Sequence, residues 1–185
     1  SEPNPANFTF RLFNSSMSLY NITTIPVGTN ATNWTNLPNG VYYFNFTGMD
    51  LAGNIDENSP TRKITLDTTN PNATLLNPVN GSYANNAAQN YTINITDNMG
   101  IKNATLKIYN STWLVNQTEV NVAGSVTQSV IGIVVNLANG VYNWFYSLFD
   151  LAGNNYTTQN NTLIIDTINP LMSIVYPQNT TYNIN

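Results

Sequence analysis

The side chains of this chain that can act in catalysis or hold an ion are mostly carboxylates. The 185 residues include no histidine and no cysteine, so the nucleophile and base pairs that use those side chains are absent. Paired carboxylates can still act as acid and base, as in glycoside hydrolysis. Four aspartates instead recur one per turn and one per connection, at Asp50, Asp67, Asp150 and Asp166. That regular placement indicates capping of backbone amides, so we expect no catalytic residues and no enzyme.

Calcium binding is the second chemistry that these aspartates suggest. Asp67 and Asp166 each stand in a short connection, and nearby turns carry further carboxylates at Asp50, Asp56, Asp97 and Asp150. Ca²⁺ takes about six to eight oxygen ligands, usually with several carboxylates among them. Because only nine residues are acidic, turn capping is the simpler interpretation. We expect no cofactor and no metal, with calcium at Asp67 or Asp166 as the alternative.

The most frequent functional signal is Asn-x-Ser/Thr with x not proline, which accepts N-linked glycans. It begins at Asn7, Asn14, Asn21, Asn30, Asn33, Asn45, Asn72, Asn80, Asn90, Asn94, Asn103, Asn110, Asn116, Asn155, Asn160 and Asn179. Chance would yield roughly half as many in a chain of this composition. In several predicted strands the asparagine lies on the outward-facing alternation, where a glycan can be accommodated. We therefore expect N-linked glycans and an extracellular place at the cell surface.

Composition narrows the class of protein further. Charged residues make up 8% of the chain, against roughly 25% in typical soluble domains, and Asn, Thr and Ser supply the polar surface instead. Five basic residues argue against nucleic acid as a partner. No run approaches the roughly 18 apolar residues of a membrane span. Abundant sequons without cysteine lead us to expect an archaeal source.

These residues are set in a repeat of about 100 residues, because the stretch 37–54 returns as 137–154 and 137 − 37 = 100. Each copy begins with Leu-x-x-Gly-x-Tyr, which resembles the tyrosine corner of Greek-key sandwiches. The residues of the two corners are Leu37, Gly40, Tyr42, Leu137, Gly140 and Tyr142. The alternating aromatic run after each corner predicts a strand with one buried face.

Alternation predicts further strands around residues 7–12, 90–96 and 103–108, with weaker candidates at 17–25 and 112–121. Trp34 and Val134 each stand three residues before the corner leucine, and we expect both to point inward at the end of a strand. We expect the second copy to be better packed, since residues 130–135 are largely aliphatic there. Phe145 and Phe149 fall on outward positions and predict an apolar patch.

The repeat predicts an all-β chain of tandem Greek-key Ig-like sandwiches with about seven strands each. Residues 1–70 form a domain that lacks its first strands, and residues 71–169 form a complete domain. Residues 170–185 restate the start of the second copy, so they form the first strand of a further domain or a donated strand. Either the chain is a window on a longer array, or a neighbouring copy supplies the missing edge.

Three motifs together carry a resemblance to a known family. They are Gly-x-Tyr, Asp-Leu-Ala-Gly-Asn, and the Asp-Thr-x-x-Pro that starts at Asp67 and Asp166. Their combination resembles the tandem Ig-like, fibronectin type III-like repeats of large bacterial and archaeal cell-surface proteins and adhesins. The resemblance implies a structural stalk, filament or surface-layer segment whose partners are other copies of itself. The alternative is an adhesin that binds a ligand through loops at one sandwich end, where Trp34 and Trp113 are the aromatic candidates.

Overall fold

The computed structural model describes residues 4–29, 31–57, 59–176, 181 and 183. Within these ranges the chain forms no helix, and so none that is long and apolar enough to cross a membrane. The strands are β1 (Pro5–Phe13), β2 (Leu19–Pro26), β3 (Gly40–Asp50), β4 (Ile55–Asp56), β5 (Arg62–Leu66), β6 (Asn72–Asn77), β7 (Ser82–Ala84), β8 (Ala88–Thr96), β9 (Ile101–Tyr109), β10 (Leu114–Asn121), β11 (Gln128–Asn136), β12 (Gly140–Asp150), β13 (Asn155–Thr157) and β14 (Asn161–Ile165).

The second repeat, which we define as residues 72–165, contains two sheets. One sheet has the strand order β10-β9-β12-β14-β7, with β13 also paired to β12, and the other has the order β11-β8-β6. The chain changes sheet after β6, β7, β8, β10 and β11, which gives the Greek-key connections of an Ig-like sandwich. The predicted all-β sandwich is therefore confirmed.

The core of the second repeat lies between these sheets because apolar side chains alternate along each strand. Tyr91 of β8 and Trp144 and Tyr146 of β12 are fully buried. The rings of Tyr91 and Trp144 meet edge to face with centroids 5.1 Å apart, and the Tyr146 hydroxyl donates to the Tyr91 carbonyl oxygen at 2.8 Å. Burial raises the pKa of both phenols. The other core residues are Ile93, Ile95, Ile101, Ala104, Leu106, Ile108, Ile131, Ile133, Val135, Leu137, Tyr142, Leu148, Leu163 and Ile165.

The first repeat, residues 4–66, forms a single sheet in the part of the chain that is described. Its strand order is β2-β1-β3-β4, with β5 also paired to β3, so it matches the sheet of the second repeat that contains β9 and β12. Its inner face lines a cavity of about 320 Å³ formed by Leu12, Trp34, Leu37, Tyr42, Phe44, Ile64 and Leu66. The expectation that the second repeat is better packed is confirmed by the larger buried core there.

The expectation for Val134 is wrong, and that for Trp34 is confirmed only in part, because Trp34 lines the cavity on the inner face of the first repeat but does not end a strand. Residues 31–39 form no strand, and Trp34 is half-buried in that segment. Val134 lies within β11 but is 66% exposed, whereas Ile133 and Val135 are buried. Side chains in a strand alternate with a period of two, so a residue three positions before the buried Leu137 faces outward. Trp34 does not lie in a strand, because the described part of the first repeat has no counterpart of β8 with which such a strand could pair.

Both tyrosine corners have the same hydrogen bond. The Tyr42 hydroxyl donates to the Pro38 carbonyl oxygen at 2.8 Å, and the Tyr142 hydroxyl donates to the Ala138 carbonyl oxygen at 3.0 Å. Each bond ties the start of the long central strand to the segment that precedes it. The corners thereby fix where β3 and β12 begin.

The segment after β14 has no strand through residue 176. Its apolar side chains are exposed, namely Leu171, Met172, Ile174, Val175 and Tyr176. The interpretation of residues 170–185 as a first or donated strand stays a prediction, and residues 177–180, 182, 184 and 185 lie outside the described residues.

Candidate metal centre

The two repeats are joined by a short connection, residues 67–71, between the end of β5 and the start of β6. Asp67 and Pro71, at its two ends, are both buried, although the three residues between them are exposed. A connection this short allows the first residues beyond β5 to contact the loops of the second repeat. Asp67 therefore lies where the first repeat contacts the second.

Asp67 accepts hydrogen bonds from both repeats. Its Oδ1 atom accepts from Asn39 Nδ2 at 3.2 Å and from the Thr69 amide at 3.0 Å, and from Asn98 Nδ2 of the second repeat at 3.0 Å. The Asp67 carbonyl oxygen accepts from Asn154 Nδ2, also of the second repeat, at 3.2 Å. Its Oδ2 atom is buried and has no hydrogen-bond partner, and the whole residue is only 8% exposed.

Asp97 comes from the loop between β8 and β9. Its Oδ2 atom accepts from the amides of Met99 and Gly100 at 2.8 and 2.6 Å, which closes the turn that leads into β9. Its Oδ1 atom is buried without a hydrogen-bond partner. The turn therefore uses one oxygen of this carboxylate and leaves the other unsatisfied.

Asp150 is the last residue of β12 and is fully buried. Its Oδ1 atom accepts from the amides of Gly153 and Asn154, and its Oδ2 atom accepts from Asn154 Nδ2 at 2.7 Å. Gly153 has φ of 98°, a left-handed value that favours glycine and lets the turn close. The Asp-Leu-Ala-Gly-Asn motif thus forms a capped turn that holds the Asp150 carboxylate in place.

The three carboxylates come together at the junction. One oxygen from each of Asp67, Asp97 and Asp150 lies within 4.8 Å of the others. The hydrogen-bond donors given above for these carboxylates are all neutral amides. The arrangement therefore concentrates negative charge in a largely buried place and presents oxygen ligands from both repeats.

The sequence located part of this group. We expected no metal, and Asp67 and Asp166 were the connection ligands only in the calcium alternative; the structure places Asp97 and Asp150 beside Asp67. Asp50, Asp56 and Asp166 do not belong to the group. Asp166 is exposed, and its Oδ1 atom accepts from the Ile168 amide at 3.0 Å. The spacing along the chain could not separate these aspartates, because the contact depends on how the two repeats are placed.

The described sequons differ in exposure. Asn90 of β8 is exposed and Asn94 is half-buried, whereas Asn103 of β9 is only 9% exposed between two neighbouring strands. Asn45 is half-buried with its side-chain oxygen enclosed. The side-chain oxygens of several others accept hydrogen bonds from nearby groups, namely Asn14, Asn72, Asn80, Asn110 and Asn116. Asn30 and Asn179 lie outside the described residues.

The two tryptophans named for ligand binding lie in different repeats. Trp34 is half-buried and its Nε1 atom donates to Thr23 Oγ1 at 3.3 Å. Trp113 is 65% exposed in the turn before β10. The predicted outward phenylalanines also differ, since Phe149 is 41% exposed but Phe145 is half-buried and stacks on Tyr109 at 6.0 Å. The two tryptophans therefore lie in different repeats, and Phe149 is the more exposed of the two phenylalanines.

Three solved structures are similar to the chain at low identity. A tetra-tandem repeat from the extending region of a large adhesion protein has 16% identity and a TM-score of 0.45, with coverage of 89% of this chain and 42% of that chain. Fibronectin(III)-like modules of Clostridium thermocellum CbhA have 12% identity and a TM-score of 0.39, with coverage of 89% and 80%. An engineered protein has 12% identity and a TM-score of 0.40, with coverage of 52% and 20%.

Comparison with curated protein sequences gave no match. A family model described as a bacterial Ig-like domain matches residues 9–68 and residues 69–167, and the two matches meet within the connection that contains Asp67. These segments include most of the chain and agree with its strands and sheets. The chain therefore belongs to the bacterial Ig-like domain family, of which it carries two copies in tandem.

Proposed function

We propose that the chain is a segment of a structural, N-glycosylated array of Ig-like domains that forms a filament, stalk or surface-layer segment outside the cell. Ig-like domains of this family are typically non-catalytic structural or surface modules. The observation that carries the proposal is the direct attachment of one repeat to the next through residues 67–71. An array with short, bonded connections transmits force and keeps its length, as a stalk or filament requires.

The two repeats are joined by specific hydrogen bonds in addition to the connecting residues. Asn98 and Asn154 of the second repeat donate to the side chain and the backbone of Asp67. Pro71, at the other end of the connection, is buried and has a fixed φ. These contacts restrict bending between the two repeats, so the domains behave as one unit.

Residual dipolar couplings measured by NMR on the whole chain test this point. We expect the amides of both repeats to fit a single alignment tensor, because bonded repeats tumble together. Asn98→Ala combined with Asn154→Ala removes the two crossing bonds and should separate the tensors, whereas Asn54→Ala, in the matching turn of the first repeat, should leave them equal. Two different tensors in the unmodified chain, both with and without added CaCl₂, would contradict a rigid connection.

The outer face of the three-stranded sheet supports the glycan part of the proposal. Val130 and Val134 of β11 are 64% and 66% exposed there. In the sheet they stand directly opposite Asn94 and Asn90, which are both sequon asparagines. A glycan on either asparagine would lie over an exposed valine and shield this three-stranded sheet from association with other chains.

The proposed N-glycosylation is tested by mass spectrometry of glycopeptides from the protein isolated from its native cells. We expect a glycan on Asn90, which is exposed, and none on Asn103, which is nearly buried. Asn103 is a matched control because both sequons lie within strands and differ mainly in exposure. Occupied Asn103, or Asn90 without sugar, would contradict the placement that the sheet supports.

The partners in such an array are other copies of the same domain. The exposed residues 171–176 follow Pro170 as β6 follows Pro71, and Pro177 stands where Pro78 stands in the second repeat. We propose that this segment forms the first strand of a following domain, in the same chain or in a neighbouring copy. Its apolar side chains would then be buried as those of β6 are in part.

A further inference from the structure

We propose that Asp67, Asp97 and Asp150 bind one divalent cation with the ligand preferences of calcium, and that this ion fixes the second repeat to the first. The binding site depends only on the geometry of the three carboxylates. Its mechanical consequence, a junction whose stiffness depends on the ion, rests on the proposed structural function.

Electrostatic repulsion among the three carboxylates favours a cation between them. Three carboxylate oxygens lie within 4.8 Å of one another, and Asp150 and Asp67 are 0% and 8% exposed. Like charges at such distances repel strongly where water is largely excluded. The neutral amides that donate to these carboxylates reduce the cost but do not cancel the charge. A cation among the three oxygens would turn this repulsion into attraction.

Two of the carboxylate oxygens lack hydrogen-bond partners. Buried polar atoms in folded proteins almost always have a hydrogen-bond partner. A buried polar atom without one loses its hydrogen bonds to water and gains none in the protein, which costs free energy. Asp67 Oδ2 and Asp97 Oδ1 are both buried without a hydrogen-bond partner. The other oxygen of each carboxylate accepts at least two hydrogen bonds, which hold the group in its orientation. The two unsatisfied oxygens are therefore fixed in place and available as ligands.

The chemistry of the ligands selects the kind of ion. Zinc and other transition metals are usually held by histidine or cysteine, and the chain contains neither. Ca²⁺ binds carboxylate, carbonyl and water oxygens at roughly 2.3–2.6 Å, so three oxygens within 4.8 Å of one another can all reach one ion. Mg²⁺ demands a tighter octahedron and retains more water. We therefore expect calcium to bind more strongly than magnesium.

The origin of the ligands gives the ion its effect. Asp67 follows the last strand of the first repeat, whereas Asp97 lies in a loop of the second repeat and Asp150 ends its strand β12. An ion held by all three would connect the repeats in addition to the bonds from Asn98 and Asn154. Asp50 and Asp166 occupy the corresponding places in the repeated sequence, but neither belongs to a three-carboxylate group in the described part of the chain. Among the residues that the structure describes, the chain therefore offers one complete site.

Isothermal titration of the whole chain, first stripped of metal with a chelator, tests the site with CaCl₂ and MgCl₂ as the probes. We expect one calcium ion per chain with a dissociation constant on the order of 10⁻⁴–10⁻³ M, as in extracellular calcium modules, and weaker binding of magnesium. Calcium at about a hundred times that constant should raise the melting temperature of the second repeat by roughly 10–20 °C. Absence of saturable calcium binding up to 10-fold above this range, about 10 mM, would overturn the inference.

The repeat supplies matched controls for the ligands. Asp67→Asn and Asp150→Asn should each weaken calcium binding by at least about tenfold, since each removes one of three charges. Asp166→Asn and Asp50→Asn change the equivalent positions, where the same kinds of turn bond are present, and should leave binding unchanged. Asp97→Asn is a third test, because asparagine retains an oxygen that can accept from the Met99 and Gly100 amides. Circular dichroism identifies any variant that fails to fold, and equal loss in the control variants would overturn the assignment.

Dipolar couplings with and without calcium separate this inference from the proposed function. Two alignment tensors in the metal-free chain that become one on addition of calcium would support the proposal that the ion fixes the repeats to each other. One tensor in both conditions, together with calcium binding, would overturn the claim that the ion fixes the repeats to each other. The binding site and the proposed structural function would remain. Two tensors in both conditions would count against the structural function itself, whatever the calcium titration shows.

Discussion

Asp50 and Asp150 show how one short motif produces two different environments. Both carboxylates accept from the amides and the side chain of the asparagine four residues later, so the turns are alike. Asp150 is fully buried beside two other aspartates, whereas Asp50 belongs to no group of three such carboxylates in the described part of the chain. The local sequence therefore determines the turn, and the position of the turn relative to the junction determines what the carboxylate can bind.

The turn at Asp50 makes stability depend on pH. The hydrogen bond from the Asn54 side chain, at 2.6 Å, together with amide bonds from Asn54, Ala52 and Gly53, holds the pKa of Asp50 below its ordinary value of 3.8. Because this pKa is lower in the folded than in the unfolded chain, the carboxylate stabilises the fold above the unfolded value. That stabilisation is lost as the pH falls through the folded value.

Asn54→Ala should therefore raise the pKa of Asp50 toward 3.8 and flatten the loss of stability in acid. A carbon-13 NMR titration of the aspartate carboxyl groups measures the pKa directly. Asn154→Ala serves as the control, since it alters the matching turn of the second repeat and should leave the Asp50 titration unchanged. An Asp50 pKa that is the same with and without Asn54 would show that the turn does not set it.

At the level of strands, alternation predicted the core of the second repeat well. Alternation predicted a strand around residues 90–96, and Tyr91, Ile93 and Ile95, which share one face of β8, are fully buried. Local patterns also located the tyrosine corners and the aspartate turns, because each depends on residues within a few positions of one another. The three-carboxylate group joins residues 67, 97 and 150, so its formation depends on the placement of one repeat against the other. No periodicity within a strand carries that information.

The central strands β3 and β12 permit a matched test of packing. Trp144 of β12 is fully buried and contacts the rings of Tyr91 and Tyr146, whereas its counterpart Phe44 in β3 is half-buried and lines a cavity. Trp144→Ala should lower the free energy of unfolding by about 3–5 kcal/mol, as expected for a large aromatic in a closed core. Phe44→Ala should cost clearly less.

Urea unfolding of the whole chain, followed by circular dichroism, measures both changes. A conservative control is Trp144→Phe, which retains most of the ring volume and also removes an indole N–H that has no hydrogen-bond partner. We expect that variant to lose less stability than Trp144→Ala. Equal losses for Phe44→Ala and Trp144→Ala would mean that the first repeat is packed as tightly as the second.

At the scale of the whole molecule, the two repeats differ in how much of the sandwich they contain. The second repeat encloses its core between two sheets, whereas the described residues of the first form one sheet with few buried hydrophobic side chains, namely Leu12, Ile25 and Tyr42. Regions with few buried apolar contacts open at a lower free energy than the rest of a protein. The first repeat should therefore unfold while the second remains folded.

Native-state hydrogen exchange distinguishes such partial opening from unfolding of the whole chain. We expect the amides of β3 to exchange at least about a hundredfold faster than those of β12, although both strands have the same length and are paired on both sides. Calcium should slow amide exchange around Asp97 and Asp150 if the junction ion binds. It should not slow exchange in β3, because it adds no contacts to the inner face of that strand. The difference between β3 and β12 should therefore persist in calcium. Equal protection of the two strands would mean that the repeats unfold as one cooperative unit, with the junction contacts supplying the stability that the single sheet lacks.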